Sequence, residues 1–197
     1  MATREHWEVD PWNAEAIEKV VTGGPVSVEE TDRQLNWIFD DQSGMRCLEI
    51  GAGYGRLLPH ALNHFSMAYG VDSSVSLVAR STIFLRSYLG ARVVLNDGLY
   101  LPFPDNYFDF VYSFTCFQHM TSTAMMFENL KQAQRVLKRN GSIRIQTVRG
   151  NPAQAGRYDG VVFRDAEEFR KFLEVAGFEK VNVLGDGEWL WATAKKQ

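Results

Sequence analysis

The sequence predicts an α/β fold with a doubly wound, mainly parallel sheet and helices on both faces. Five short apolar runs alternate with segments of helical character along the chain, which is the pattern of strands joined by crossover helices. A glycine-rich turn follows the first run, and acidic residues close the second and third. Two last apolar runs, joined by Gly185-Asp186-Gly187, predict a closing hairpin and therefore one antiparallel strand.

The individual elements follow from apolar runs and from capping residues. The predicted strands are residues 46–50, 67–71, 91–95, 108–114, 142–148, 180–184 and 188–194. The predicted helical segments between them are residues 56–65, 74–90, 122–138 and 165–177. Ser73 or Ser74 can cap the second of these helices and Thr121 or Ser122 the third, while Asp165 opens a capping box for the fourth.

The segment before the first strand differs in character from the rest. Residues 1–26 are polar with scattered aromatics and predict an irregular arm with one short helix near 13–21. Ser27 and Glu30 then form a capping box for a helix that runs to about residue 41. We expect one domain over residues 1–197, in which residues 44–194 are the core and the arm is a candidate lid.

The composition excludes several classes of protein. The net charge of -3 gives no sequence-wide attraction to nucleic acid, although a local basic groove remains compatible with it. No apolar stretch reaches the ~18 to 20 residues of a membrane helix, and the first residues lack the apolar core of a signal peptide. Cys47 and Cys116 share no metal-ligand spacing, so we expect them to be reduced thiols. These features predict a cytoplasmic protein without a metal site.

The strand ends predict a nucleoside site. In open parallel sheets, ligands bind beyond the carboxyl ends of the strands. There the turn 51–55 provides glycines that let the backbone approach a ligand closely. Asp72 can accept hydrogen bonds from both hydroxyls of a ribose, and Asp97 can accept one from an adenine amine. The alternative is that both acids only stabilise turns or helix starts.

The motifs at these strand ends resemble the class I, Rossmann-like methyltransferases that use S-adenosylmethionine, and most closely their small-molecule group. The run Cys47-Leu-Glu-Ile-Gly-Ala-Gly-Tyr-Gly-Arg56 resembles their first motif, and Val71-Asp72-Ser73 their second strand end. The run from Asn96 to Asp109, with Leu-Pro-Phe-Pro-Asp inside it, is the most specific match, and 135–141 resembles the segment before their fifth strand. The resemblance covers about residues 44–194.

That resemblance implies the strand order 3-2-1-4-5-7-6, with strand 7 antiparallel, and an S-adenosylmethionine cofactor that leaves as S-adenosylhomocysteine. Carried over position by position, it places three groups of residues on the cofactor. The amino-acid and ribose portions would meet Glu49, Gly51, Ala52, Gly53, Asp72 and Ser73. Adenine would meet Asp97, Gly98 and Leu99, and the methionine part would meet Ser113, Phe114 and Thr115. Arg56 could reach the cofactor carboxylate, or it could be a solvated first-turn residue.

The acceptor side is less well defined by the sequence. His119 follows the fourth strand, where a histidine often stands in the resembled family, and it is either a general base or a brace for the next helix. His6 on the arm is a second candidate base. In the short 149–164 connection, Arg149, Arg157 and Tyr158 either meet a polar acceptor or are solvated.

The predicted acceptor is a small molecule with an apolar body and one polar handle, rather than nucleic acid or a membrane. The predicted pocket roof consists of Trp7, Trp12, Phe114, Phe117, His119 and Tyr158. Two other functions remain open at this point. A nicotinamide-dependent oxidoreductase fits less well, because the third glycine of its G-x-G-x-x-G fingerprint comes one place early here. A non-catalytic protein that binds S-adenosylmethionine would carry the same motifs.

Overall fold

Seven strands form the single sheet that the sequence predicts. The computed structural model describes residues 8–10, 13, 15, 42–150 and 162–197. The strands are β1 (Gln42–Ile50), β2 (Phe65–Asp72), β3 (Ala91–Leu95), β4 (Phe108–Ser113), β5 (Leu137–Val148), β6 (Phe178–Asp186) and β7 (Trp189–Lys196). Their order is β3-β2-β1-β4-β5-β7-β6. Strand β7 is antiparallel to both β5 and β6, as expected, and the pairs β1/β2, β2/β3 and β4/β5 are parallel.

Four helices connect these strands in the described part of the chain. They are α1 (Leu58–Ala61), α2 (Val75–Phe84), α3 (Thr123–Val136) and α4 (Ala166–Val175), and a 3-10 helix (Phe117–His119) precedes α3. Ser74 caps α2 and Ser122 caps α3, which settles the two alternatives left by the sequence. Asp165 accepts a hydrogen bond from the Glu168 amide at 2.9 Å and so caps α4, as the capping box predicts.

The structure divides into two compact units. The N-terminal unit contains the described residues up to Asp97, and the C-terminal unit begins at Gly98. In the N-terminal unit, Ile50 pairs with Val71 and Asp72 pairs with Leu95. This register brings the carboxyl ends of β1, β2 and β3 side by side, because the three strands run in the same direction.

The C-terminal unit has its own apolar core. Helix α3 buries Met126, Leu130 and Ala133, positions three to four residues apart on one face. Helix α4 buries Phe169 and Leu173 in the same way. The helices and strands of this unit therefore follow the helical periodicity of the sequence.

Several boundaries differ from the predicted ones. Helix α1 has four residues instead of ten, because the amides of Asn63 and His64 bond to the third residue back and so form turns. Helix α2 ends at Phe84 instead of near Gly90, since the chain beyond it also forms short turns. Helix α3 ends two residues early, because Leu137 is already extended and starts β5.

Some strands are longer than predicted. Strand β1 begins at Gln42 and β2 at Phe65, both before the predicted first residue. The closing hairpin turns at residues 187–188 instead of 185–187, because Asp186 already pairs with Trp189. The helix predicted from residue 27 to 41, and nearly all of the one near 13–21, lie outside the described residues. None of the described helices combines the length and apolar character needed to cross a membrane.

Candidate functional site

The turn after β1 closes back onto the end of β2. The amides of Gly51 and Ala52 both donate to the Val71 carbonyl, at 3.0 and 2.9 Å. The Gly53 amide donates to Oδ2 of Asp72 at 2.8 Å. The glycine-rich turn is thus fixed by three hydrogen bonds to two consecutive residues of β2.

Two glycines allow this close approach. A Cβ at Gly70 of β2 would lie 2.5 Å from the Ala52 Cβ, so any side chain there would push the turn away. Gly55 has a φ of +83°, and a Cβ on it would lie 2.9 Å from Cδ1 of Leu85. The glycine that comes one place early for a nicotinamide fingerprint therefore serves packing.

Asp72 lies at the meeting point of this turn and helix α2. Its Oδ2 accepts from Gly53, and its Oδ1 accepts from the Ser74 amide at 2.9 Å. Burial raises the pKa of Asp72, backbone amides oppose that shift, and the charge of Glu8 adds to it. A carboxylate offers about four acceptor sites, so Asp72 can accept further hydrogen bonds. Asp72 therefore does stabilise the start of helix α2, which is the alternative that the sequence left open. This role leaves Asp72 able to bind a ligand as well.

The first turn of α2 is capped by Glu8 of the predicted N-terminal arm, a contact that the sequence did not predict. Glu8 accepts from the Val75 amide with Oε1, at 2.9 Å, and from the Ser76 amide with Oε2, at 3.0 Å. These amides have no partner within the helix, and a carboxylate suits the positive end of the helix dipole. Residues 8 and 75 are far apart in sequence, so no local signal could have revealed this contact.

The neighbouring Val9 strengthens the same contact. Its amide donates to Oγ of Ser76 at 3.0 Å. Its side chain packs against Tyr54 of the glycine-rich turn and Leu77 of α2. Residues 8 and 9 therefore touch the two elements that flank Asp72.

The other predicted residues of the N-terminal unit are also at strand ends. Glu49 is buried, with 3% of its surface exposed. Its charge adds to burial in raising the pKa of the Cys47 thiol, which is consistent with an inert thiol. Ser73 is half-buried and Asp97 is exposed. Asp97 follows the end of β3 after one intervening residue, as the sequence predicts.

In the C-terminal unit, the predicted adenine contacts begin on a turn held by helix α3. Gly98 has a φ of +85°, and its carbonyl accepts a hydrogen bond from Nδ2 of Asn129 at 2.8 Å. Leu99 is exposed. Asn129 was not predicted, although a polar side chain on the apolar face of α3 is a signal that could have found it.

The predicted methionine contacts lie at the end of β4. Ser113 is fully buried, and the Phe114 ring packs edge-on against Trp191 with centroids 5.3 Å apart. Thr115 is exposed with a φ of +50°, and its amide donates to Oε1 of Gln146 at 3.0 Å. A non-glycine residue in this conformation is uncommon and often marks a functional turn.

The residues predicted on the acceptor side are only partly described. His119 is half-buried on the 3-10 helix, and its amide donates to the Cys116 carbonyl at 2.9 Å. Arg149 has an exposed side chain, and Arg56 is half-buried. The remaining candidates, His6, Trp7, Trp12, Arg157 and Tyr158, lie outside the described residues. In the described part of the chain, no group of three or more His, Cys, Asp or Glu side chains is arranged to hold a metal ion.

The described residues fit the nucleoside part of S-adenosylmethionine. A half-buried carboxylate that can accept further hydrogen bonds closes β2, and the glycine-rich turn lies directly against it. Ribose hydroxyls are donors that such a carboxylate can accept. This fit rests on the N-terminal unit alone.

The chain is similar in sequence to known methyltransferases. The family described as "Methyltransferase domain" matches residues 48–145. Phosphoethanolamine N-methyltransferase 2 of Caenorhabditis elegans is 27% identical over 156 residues, which are 77% of this chain and 35% of that protein. The uncharacterized protein MJ1123 of Methanocaldococcus jannaschii is 30% identical over 133 residues, 68% of this chain and 57% of that protein. The chain thus spans between a third and three fifths of the length of these relatives.

A solved structure shows the same fold. Phosphoethanolamine N-methyltransferase 2 of Haemonchus contortus, in complex with S-adenosyl-L-methionine, superposes with a TM-score of 0.74. The superposition covers 87% of this chain and 53% of that chain, at 16% sequence identity. At this level of identity the likeness concerns the fold.

Proposed function

Because this chain belongs to the class I, Rossmann-like superfamily of S-adenosylmethionine-dependent methyltransferases, we propose that it methylates a small-molecule acceptor. The observation that carries the proposal is the bond from the Gly53 amide to Asp72. It sets a half-buried carboxylate at the end of β2 directly against the glycine-rich turn, where a nucleoside cofactor of an open α/β sheet would bind.

In the N-terminal unit, Asp72 and Ser73 hold the ribose and Asp97 accepts from the adenine amine. The backbone of 51–53, with Glu49 behind it, meets the amino-acid portion. In the C-terminal unit, Gly98 and Leu99 meet adenine, and Ser113, Phe114 and Thr115 meet the methionine part.

The protein's part in methyl transfer is to bind and orient. When bound, S-adenosylmethionine supplies an activated methyl group on a sulfonium centre. Alignment of donor and acceptor can lower the barrier by about 7 to 11 kcal/mol in well-oriented cases. His119 accepts the proton when the acceptor is a hydroxyl, whereas an amine or a thiol can react without a base.

The acceptor class follows from charge and from the relatives. A net charge of -3 offers no counterion-release drive toward nucleic acid. Two proteins similar to this chain are named phosphoethanolamine N-methyltransferases, so a small polar amine is the first acceptor to test. A small metabolite with one polar handle is the class we propose.

Two measurements test the proposal. Titration calorimetry with S-adenosylmethionine, S-adenosylhomocysteine and NAD should show binding of the two sulfur ligands only. Transfer of a labelled methyl group should then be measured over a panel of amines including phosphoethanolamine, phenols, thiols and carboxylates, with tRNA and bulk protein as controls. Label in the macromolecules alone would refute the small-molecule acceptor, and cofactor binding without transfer to any acceptor would favour a sensor.

A further inference from the structure

The turn that follows β3 is anchored from a distance by one buried amide. Asn129 on α3 has 1% of its surface exposed. Its Nδ2 donates to the Gly98 carbonyl at 2.8 Å and to the Met125 carbonyl at 3.0 Å. Both hydrogens of this amide are therefore used, and one of them reaches a residue 31 positions away in the chain.

The same face of α3 holds the chain beyond this turn. Arg135 donates to the carbonyls of Leu101 and Phe103, at 2.7 and 2.8 Å. Gln132 Oε1 accepts from Arg135 Nε at 3.1 Å and so orients the guanidinium. Residues 129, 132 and 135 are spaced three apart and share this face of the helix. The segment 98–103 is thus fixed at three backbone carbonyls.

Packing alone does not explain why residue 129 is an asparagine. Its neighbours Met126, Leu130 and Ala133 are fully buried and apolar. An apolar side chain at position 129 would avoid the desolvation of an amide, which is costly unless its hydrogen bonds are made. The side-chain amide of Asn129 instead fixes the orientation of the Gly98 carbonyl. Gly98 itself has a φ of +85°, in the left-handed region.

We propose that Asn129 is a positioning residue for the adenine end of the cofactor. It holds the Gly98 carbonyl so that the Gly98 amide and Leu99 keep the orientation in which they meet the adenine ring. This inference rests on the proposed function, because it assumes that Gly98 and Leu99 contact adenine. Asn129 itself touches no cofactor atom and acts through the turn.

The test compares Asn129→Ala with Ser122→Ala. Ser122 caps the same helix by accepting from the Met125 amide at 3.1 Å, and it makes no bond to the Gly98 turn. Both variants should lower the melting temperature, because Ser122→Ala removes a helix cap and Asn129→Ala removes two hydrogen bonds of a buried amide. Only Asn129→Ala should also raise the Kd for S-adenosylhomocysteine, by about tenfold, the factor that corresponds to one hydrogen bond of about 1.4 kcal/mol.

A second ligand distinguishes a specific effect on the adenine contact from a general loss of protein stability. S-inosylhomocysteine differs from S-adenosylhomocysteine only in the purine, so the ratio of the two Kd values reports purine recognition. Asn129→Ala should bring this ratio closer to one, and Ser122→Ala should leave it unchanged. If Asn129→Ala does not fold, Asn129→Ser takes its place. An unchanged Kd ratio in the folded variant overturns the inference, whereas a wild-type protein that does not bind S-adenosylhomocysteine overturns the proposed function instead.

Discussion

At the scale of single residues, Asp72 shows how one side chain serves both the fold and a proposed ligand. Its two oxygens accept the backbone amides of Gly53 and Ser74, and the Ser73 backbone also favours the ionised form. Burial nevertheless raises the pKa of Asp72, so its ionised form is costly where it lies. A group kept at such a cost, with acceptor capacity to spare, is typical of a binding site.

The first prediction is that Asp72→Asn weakens cofactor binding more than it weakens the fold. The substitution replaces one of the two carboxylate oxygens that accept backbone amides, which lowers stability, and it removes a half-buried charge, which raises stability. A ribose hydroxyl loses a charge-assisted hydrogen bond worth ~1.5 to 3 kcal/mol, which is tenfold to more than a hundredfold in Kd. Calorimetry with S-adenosylhomocysteine and urea denaturation measure the two quantities. Unchanged affinity with a large loss of stability would mean that Asp72 is only structural.

The raised pKa of Asp72 gives a second prediction, on pH. The folded protein holds the proton of Asp72 more tightly than the unfolded chain, in which the pKa is near 3.8. The resulting stability is fully present below 3.8 and is lost as the pH rises through the folded pKa. Asp72→Asn does not titrate, so its unfolding free energy should rise relative to wild type over that window. A difference between the two proteins that does not vary with pH would contradict the raised pKa.

His119 carries the third prediction. If it acts as a base, His119→Ala should lower turnover of a hydroxyl acceptor by ~10² or more at neutral pH. The same variant should leave an amine or thiol acceptor nearly unaffected, because these need no base. Steady-state kinetics with each acceptor class are the measurement, and the Kd for S-adenosylhomocysteine is the control. An equal loss with every acceptor would indicate that His119 only braces the start of α3.

At the scale of elements, the glycine-rich turn shows where packing overrides sequence signals. A G-x-G-x-G pattern alone does not say whether its last glycine meets a ligand or a neighbouring helix. In the structure, Gly55 faces Leu85, Val93 and Leu58 across the N-terminal unit. Leu85 and Val93 are distant from Gly55 in sequence, so only the fold reveals these contacts.

The fourth prediction follows from that contact. Gly55→Ala should be more destabilising than Gly187→Ala, although both glycines have positive φ, +83° and +58°. The left-handed conformation costs each alanine roughly 1–2 kcal/mol. A Cβ at Gly187 has no atom within 4 Å, whereas one at Gly55 would lie 2.9 Å from Leu85. Urea denaturation measures both, and equal losses would contradict a packing role for Gly55.

Strand β3 was predicted more accurately than helix α1, for a physical reason. Strand β3 has the predicted bounds because its apolar run stops sharply at Gly90 and Asn96. The predicted length of helix α1 was too great, because the same apolar pattern occurs whether the backbone amides bond to the fourth or to the third residue back. Short turns and helices therefore differ in hydrogen bonding that the sequence does not display.

At the scale of the whole molecule, topology was predictable and long-range anchors were not. The strand order and the antiparallel β7 are confirmed. Glu8, Gln146 and Asn129 were not predicted, because each acts on a residue at least 31 positions away. A single domain, the N-terminal lid, the contacts of each site residue, the acceptor and a cytoplasmic location stay predictions.

The fifth prediction concerns the N-terminal arm. We expect that residues 1–26 help to close the cofactor site, because Glu8 and Val9 hold the first turn of α2 and pack on Tyr54. Deleting residues 1–26 should therefore cut turnover and weaken S-adenosylhomocysteine binding while the core stays folded. Circular dichroism and calorimetry of the truncated protein measure these effects.

A point variant makes the same test at the contact itself. Glu8→Ala removes two hydrogen bonds to the α2 amides, which should cost about 0.5–2 kcal/mol of stability. It also removes a negative charge that raises the pKa of Asp72, so the ionised carboxylate becomes easier to form. Weaker cofactor binding in Glu8→Ala would therefore arise from the lost contact and not from charge. Glu15→Ala, an exposed acid of the same arm, is the matched control. Full turnover in both the truncated protein and Glu8→Ala would show that the arm is dispensable.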